Sequence, residues 1–247
     1  MTKLQPLPAS QSPLYTSTNE LFQLVRVYYQ VFNKATVLGV FKKLRCIDFD
    51  PTRNRWVWLF EDEAKRLRLG KTHSQLSKEV RPLVIGYFTF RGEDQMLLDV
   101  RSVERSTQAI AFFDKRINRR AARVTNLRIV NKLFEPTREI IEEVIQQSPD
   151  RFFDCDNIAR PAEALLAGLE QIKKEEDIDT RRQKALILID QISKAPLAEV
   201  EEMPTNFYED GIEKLENALK LRQLQLIEHW NGNKDANILD IIKTYMQ

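Results

Sequence analysis

Residues 83–100 read LVIGYFTFRGEDQMLLDV, and they decide the fold class because they carry the pattern of a β-hairpin. The apolar and aromatic run over 83–90 predicts one strand. The next four residues, Arg91 to Asp94, are polar and include Gly92, which predicts a turn. Residues 95–100 then predict the returning strand, so the chain contains at least one antiparallel pair.

A second hairpin is predicted upstream of this one. Residues 37–49 predict a strand, the polar residues 50–54 predict a turn, and residues 55–60 predict the partner strand. Along that partner strand Trp56, Trp58 and Phe60 fall on one side, and the residues between them are also apolar. A strand that is apolar on both sides indicates a central place in a covered sheet.

Helices are predicted around the two hairpins from residues that recur at helical spacing. The pattern predicts a helix over 21–32, a helix over 61–80 that is interrupted at Gly70, and a helix over 103–117. A further strand is predicted over 123–134, where apolar and polar residues alternate. The first half therefore reads helix, hairpin, helix, hairpin, helix, strand.

Every periodic segment after Pro136 is predicted to be helical. These segments cover 140–145, 162–174, 181–193, 207–230 and 238–246. The predicted fold class is α+β: a mixed N-terminal domain with two β-hairpins, an additional strand and covering helices, followed by an all-α helical C-terminal domain. The predicted boundaries are an extended tail over 1–17, a basic α+β domain over 18–134 and an acidic helical domain over 135–247.

The charges of the chain are divided along the same boundary. Residues 1–134 hold 24 Lys and Arg against 12 Asp and Glu, a net charge of +12. Residues 135–247 hold 14 against 24, a net charge of −10. A basic surface attracts polyanions or acidic proteins, so the division predicts a binding function for the first half.

The composition is that of a folded chain, with 43% hydrophobic and 30% charged residues. The two cysteines, Cys46 and Cys155, are far apart, which predicts neither a disulfide framework nor a cysteine metal site. No apolar run approaches the ~20 residues of a membrane span, and the first residues lack the pattern of a secretory signal. We expect a cytoplasmic protein with no membrane span, no metal and no cofactor.

The densest basic stretch lies at the end of the predicted helix over 103–117. It consists of Lys115, Arg116, Arg119, Arg120 and Arg123, and it is extended upstream by Arg101 and Arg105. If the helix continues through Arg120, two pairs of these cations are four residues apart and share one exposed side. That arrangement predicts a phosphate-binding face. The alternatives are a solvated helix face and arginines that pair with the acidic helices of the second half.

Aromatic residues alternate with arginines in the first hairpin. Trp56 and Trp58 follow Arg53 and Arg55, and exposed aromatic rings beside cations stack on unpaired bases. Trp56 and Trp58 are therefore candidates for base stacking. The alternative is core packing, because the predicted helices need an apolar surface to cover.

A catalytic site is not predicted. The chain has no glycine-rich phosphate loop, no dinucleotide fingerprint and no glycine-flanked serine nucleophile. Asp94, Asp99 and Arg101 at the second hairpin suggest a metal-dependent nuclease as a remote alternative, although such sites require a second carboxylate and usually a lysine.

The function predicted from these observations is non-enzymatic binding. We expect the basic domain to dock on RNA or DNA, and the acidic helical domain to make protein contacts or to self-associate through its C-terminal helices. The alternative is an assembly factor or adaptor that binds only protein. Charge alone does not select RNA over DNA.

Overall fold

The computed structural model describes residues 12–140, 142 and 148–245. Within these residues, eight strands form one sheet. The strands are β1 (Val25–Val31), β2 (Ile47–Asp50), β3 (Arg55–Leu59), β4 (Val84–Arg91), β5 (Gln95–Val100), β6 (Ala122–Val130), β7 (Ile158–Ala159) and β8 (Val200–Pro204). Their order is β2-β3-β4-β5-β1-β6-β8-β7, and all neighbours are antiparallel except β7 and β8.

Helices connect and cover these strands. They are α1 (Lys34–Phe41), α2 (Val103–Asp114), α3 (Asp150–Phe153), α4 (Pro161–Ile172), α5 (Ile178–Lys194), α6 (Phe207–Asp210), α7 (Ile212–Trp230) and α8 (Ile238–Tyr245). Three short 3₁₀ turns, Asp62–Arg66, His73–Gln75 and Lys78–Val80, lie between β3 and β4. The structure is therefore mixed α+β, as predicted.

Both predicted hairpins are confirmed. β2 pairs with β3 around the turn at residues 51–54, and β4 pairs with β5 around Gly92. Gly92 has φ +66°, a left-handed conformation that glycine adopts without steric cost. The strand predicted over 123–134 and the helix predicted over 103–117 are also present, as β6 and α2.

The helix predicted over 21–32 is wrong, because this segment contains the central strand β1. Val25 and Val27 pack into the main core on one side of the sheet, whereas Arg26 and Tyr28, which alternate with them, lie on the other side. β-Branched and aromatic residues favour the extended backbone, and both faces of β1 are buried. Because apolar residues occupy both faces of β1, their spacing also matches the pattern that predicts a helix.

Two further segments differ from the predictions in the first half. Residues 37–49 were predicted as one strand, but the strand begins only at Ile47 because α1 occupies the start of that segment. Asn33 caps α1: its Oδ1 accepts a hydrogen bond from the Thr36 amide at 2.9 Å. Residues 61–80 form the three 3₁₀ turns rather than α-helices.

The all-α prediction for the second half is also wrong. β8 pairs with β6 from Val130↔Val200 to Asn126↔Pro204, and β7 adds the edge strand. One sheet thus contains strands from both sides of the predicted boundary at residue 134. The helices predicted over 162–174 and 181–193 are confirmed as α4 and α5, whereas the helix predicted over 207–230 is divided at Gly211 into α6 and α7.

Two of the predicted segments fall on residues that the structure does not describe. The helix over 140–145 includes residues 141 and 143–145, and the tail over 1–17 includes residues 1–11. Both lie largely outside the described residues. Among the helices that are described, none is long and apolar enough to cross a membrane.

The two faces of the sheet differ in character. The main core lies on one face, where α1, α2 and α7 cover it with residues such as Phe41, Phe113 and Leu219. The opposite face is charged, and only part of it is covered. Since side chains alternate along a strand, the same strands supply both surfaces.

Candidate functional site

A row of polar and charged side chains crosses the sheet on the face opposite the main core. The residues of this row are register partners on neighbouring strands: Tyr87 with Asp99, Asp99 with Arg26, Arg26 with Arg128, and Arg128 with Glu202. Directly opposite residues of an antiparallel pair have their side chains on the same face. The sheet therefore brings together residues that are far apart in sequence.

Arg26 is the most deeply buried residue of this row, with 1% of its side chain exposed. Its Nε donates to Asp99 Oδ1 at 2.6 Å and its Nη2 to Asp99 Oδ2 at 3.0 Å. Burial opposes the charge on Arg26, but the bonds to Asp99 and Asp150 outweigh it and raise the pKa of the guanidinium. For Asp99, burial raises the pKa of the carboxyl group, and the hydrogen bonds and charge of Arg26 offset part of that rise.

The segment 148–154 covers part of the charged face. Asp150 Oδ1 lies 2.7 Å from Arg26 Nη2 and 2.8 Å from Arg91 Nη2, while Asp154 Oδ2 lies 2.9 Å from the same Arg91 nitrogen. Phe153 at the end of α3 is fully buried, and its carbonyl accepts from Arg128 Nη1 at 3.0 Å. Acidic residues of the second half therefore pair with arginines of the first half, but Arg26 and Arg91 are not among the arginines for which the sequence alternative predicted such pairing.

A cavity of about 380 Å³ remains beside this covering segment. Its charged lining consists of Arg26, Arg53, Arg55, Arg91, Asp99 and Asp150. Tyr87, Thr89 and Ser148 contribute hydroxyl groups. Arg55 and Arg91 also pair with Asp50 and Asp154, so Arg53 is the arginine of this lining that has no carboxylate partner in the described residues, and it suits an anionic ligand.

A smaller recess adjoins the cavity and shares Arg55, Tyr87 and Asp99 with it. Arg101 and Arg105 are the other charged residues that line the recess. In the described part of the chain, no carboxylate forms an ion pair with Arg101, and burial lowers the pKa of its guanidinium. The positive charge of Arg55 also lowers the pKa of Arg101. The Cζ atom of Arg55 lies 3.7 Å from the centre of the Tyr87 ring.

Arg105 is both a lining residue of the recess and part of a buried network. Arg105 is 2% exposed, and its Nη2 lies 2.7 Å from Thr18 Oγ1 and 3.4 Å from Glu20 Oε2. Its Nε is buried and has no hydrogen-bond partner among the residues described. The placement of Arg105 below the surface differs from the exposed basic face predicted from the sequence.

The predicted phosphate-binding face does not form as one surface. Helix α2 ends at Asp114, so Lys115 and the residues after it follow a turn rather than helical spacing. Arg101 and Arg105 lie at the opposite end of α2, about 18 Å away for its 12 residues. The seven predicted residues therefore occupy two separate places.

Three arginines of the basic stretch have intramolecular partners: Arg116 and Arg119 in that turn, and Arg123 at the start of β6. Arg116 donates to the Phe112 carbonyl at 2.7 Å, and Arg119 binds both oxygens of Asp114 at 2.9 and 2.8 Å. Arg123 donates to the Arg119 carbonyl at 3.2 Å. The other two members of the stretch, Lys115 and Arg120, are exposed.

The two candidate stacking residues lie on the core side of the sheet. Trp58 has no exposed surface and packs against Phe112 and Phe113, at 5.6 and 5.1 Å between ring centres. Trp56 is half-buried and packs against Phe41 at 5.5 Å and Phe49 at 5.0 Å. Base stacking on Trp58 is excluded by its burial, and core packing accounts for both rings.

Sequence reasoning missed Arg26 and Arg91, and it noted Arg53 and Arg55 only as neighbours of the tryptophans. Arg26 was missed because its segment was assigned to a helix. The alternation of Val25, Arg26 and Val27 was the available signal, since it places one charge on the side opposite two core residues. No local pattern shows that these arginines converge, because they come from separate strands.

The residues of the remote nuclease alternative are also separated. Asp99 is bound to Arg26, whereas Asp94 lies in the turn after β4. Across the described ranges, no three His, Cys, Asp or Glu side chains are grouped so that they could hold a metal ion.

Comparisons with known proteins give no further assignment. The chain matches no family model, and searches of curated proteins and of solved structures find no match.

Proposed function

We propose that this protein is a non-enzymatic nucleic-acid-binding protein that holds a single strand of RNA or DNA at the arginine-lined cavity of its sheet. The strand would lie beside β3 and β4, where Arg53, Arg55, Arg91 and Arg101 converge. The acidic second half supplies the segment that borders the cavity and, in this proposal, the surface for protein contacts.

The observation that carries the proposal is the unbalanced charge of Arg101. Arg26, Arg91 and Arg128 are each neutralised by carboxylates, but Arg101 is half-buried without one in the described residues. Burial of an unpaired cation is costly, so the site favours an external anion. Phosphate matches the planar, multiple-donor geometry of guanidinium groups.

The shape of the cavity favours a single strand over a duplex. It lies between the sheet and residues 148–150, and its volume of about 380 Å³ is of the size that accepts a small ligand or one nucleotide unit. Proteins that bind single strands combine a basic groove for the backbone with aromatic side chains on which the bases stack. The unpaired Arg53 and Arg101 supply the first of these features.

Binding to a fluorescent single-stranded oligonucleotide at several salt concentrations tests the proposal. For single strands the logarithm of the binding constant falls with the logarithm of salt by about 0.7 for each phosphate neutralised. We expect Arg53→Gln/Arg101→Gln to weaken binding at least tenfold and to reduce this slope by about 1. The matched control Lys115→Gln/Arg120→Gln removes the same charge from the exposed turn after α2.

The control distinguishes a built site from general electrostatic attraction. Binding by Lys115→Gln/Arg120→Gln within about twofold of the unmodified protein supports the cavity as the site. An equal loss in both double variants would contradict the assignment to the cavity. Absence of salt-dependent binding by the unmodified protein would sink the nucleic-acid function itself.

A protein-binding adaptor is the second candidate, and exposed apolar residues on α4 and α5 favour it. These residues are Leu166, Ile178, Leu186, Ile187 and Ile189, with 42 to 74% of their surface exposed. The leucines of α7, on which self-association was predicted, are instead used internally: Leu215 and Leu219 are buried in the main core. The adaptor function predicts co-purification with a protein partner and no salt-dependent binding of nucleic acid.

A further inference from the structure

The recess between Arg55 and Arg101 differs from the rest of the cavity in size. It measures about 40 Å³, and β4 and β5 line it together with Pro149 and Phe153 from the covering segment. That volume holds about three water-sized positions. A terminal phosphate has three terminal oxygens, whereas a phosphate inside a strand has two and must let the chain continue on both sides.

The hydrogen-bond donors of the recess are not used up by the protein. Asp50 binds Arg55 through Nε only, at 3.1 Å, and no bond from the described residues occupies the terminal nitrogens of Arg55. The Arg105 Nε is buried with no partner in the same set of residues. Arg55 and Arg101 therefore line one small space and have donors to offer, whereas the Arg105 Nε has no surface open to it.

The charge of the recess favours an anion. Arg55 and Arg105 are paired with Asp50 and Glu20, which lie outside the lining, and Asp99 of the lining is bound by Arg26. Arg101 is therefore the arginine of the recess that has no carboxylate partner in the described residues. A phosphodiester carries one negative charge, but a phosphomonoester carries about 1.5 to 2 near pH 7 because its second pKa is about 6. The monoester therefore interacts more strongly with the unpaired charge of Arg101 than a diester does.

We infer that the recess binds a phosphomonoester, and that the protein holds a nucleic-acid strand by its terminal phosphate. This inference rests on the proposed function for the identity of the strand, but the phosphate chemistry of the recess stands apart from it. The adjoining cavity of about 380 Å³ then receives the terminal nucleotide.

The test compares one oligonucleotide sequence with a 5′-phosphate, with a 3′-phosphate, or with hydroxyls at both ends. We expect one phosphorylated form to bind at least tenfold more tightly than the hydroxyl form at pH 7.5, and this advantage to shrink when the pH falls below about 6, where the monoester gains a proton. Arg101→Gln should abolish the advantage, and the matched control Lys115→Gln should retain it.

A measurement on the unmodified protein keeps the inference testable if Arg101→Gln does not fold. The ³¹P resonance of the terminal phosphate should shift on binding, while the resonances of internal phosphates shift less. Arg101→Lys, which keeps the charge but loses the planar donors, should reduce the tenfold advantage without removing it.

The outcomes separate this inference from the proposed function. Equal binding of phosphorylated and hydroxyl strands overturns the recess assignment and leaves nucleic-acid binding intact. Binding of a mononucleotide or of inorganic phosphate, lost in Arg101→Gln and without binding of any strand, supports the recess and overturns the proposed function. An advantage that persists in Arg101→Gln also overturns the inference.

Discussion

Arg26 shows how one residue holds a charged sheet face together. It lies in the middle of a central strand with 1% of its side chain exposed, and it contacts carboxylates of β5 and of the covering segment. Its guanidinium also lies 4.8 Å from the centre of the Phe153 ring. A cation at this position is stable because Asp99 matches it with two hydrogen bonds and Asp150 adds a further contact at 2.7 Å.

The pair Arg26–Asp99 leads to a stability prediction at this scale. Arg26→Met leaves Asp99 buried and unpaired, so we expect the free energy of unfolding to fall by about 3–5 kcal/mol. Asp150 and Asp154 are 49 and 46% exposed and regain water when Arg26 is removed, so Asp99 accounts for most of the loss. Urea unfolding measures the change.

Two further variants serve as controls for this prediction. Arg26→Met/Asp99→Leu should recover most of the lost stability because neither charge remains. Arg91→Met removes an arginine that contacts the same covering segment but is 40% exposed, and it should cost less than about 1 kcal/mol. Similar losses in the two single variants would contradict the role assigned to burial.

At the scale of elements, the hairpins could be predicted because their signals are local. The turn at Gly92 and the two apolar runs around it lie within one stretch of 18 residues. By contrast, β8 falls between two predicted helices, and its charged residues Glu201 and Glu202 give it no strand pattern. Their partners, Arg222 and Arg128, lie in α7 and β6, and the sequence does not show these contacts.

Helix α1 offers a direct test of the assignment of residues 34–41. Asn33 is exposed, and its only described side-chain bond is the one to the Thr36 amide. We expect Asn33→Ala to lower the free energy of unfolding by about 1 kcal/mol through loss of the cap, and Asn33→Ser to retain most of it. Thermal unfolding measures both, and equal stability of the alanine and serine variants would argue against a capped helix.

At the scale of the whole molecule, the charge division describes an internal contact as well as a possible binding surface. Arginines of the first half pair with acidic residues of the second, as Arg91 does with Asp154 and Arg128 with Glu202. The net charge of +12 on residues 1–134 is therefore partly neutralised by carboxylates of the second half. Among the described residues, Arg53 and Arg101 line the cavity and the recess without a carboxylate partner, and they remain as the site for an external anion.

The shared sheet also bears on the division into two domains, which stays a prediction. β8 covers the edge of β6, and Leu215 and Leu219 of α7 belong to the main core with α2. Each buried leucine contributes about 1.5–3 kcal/mol, so the first half loses both core and edge protection when the second half is removed. We expect the full chain to unfold in one cooperative transition.

Hydrogen exchange and a truncated chain test this expectation together. Amides of β6 and β8 should lose protection at the same urea concentration, because they belong to one hydrogen-bonded ladder. A fragment of residues 1–134 should show no cooperative unfolding and should aggregate through the exposed edge of β6. Two separate transitions, with a fragment that unfolds at the same midpoint as the first, would instead establish independent domains and confine the sheet contact to a docking interface.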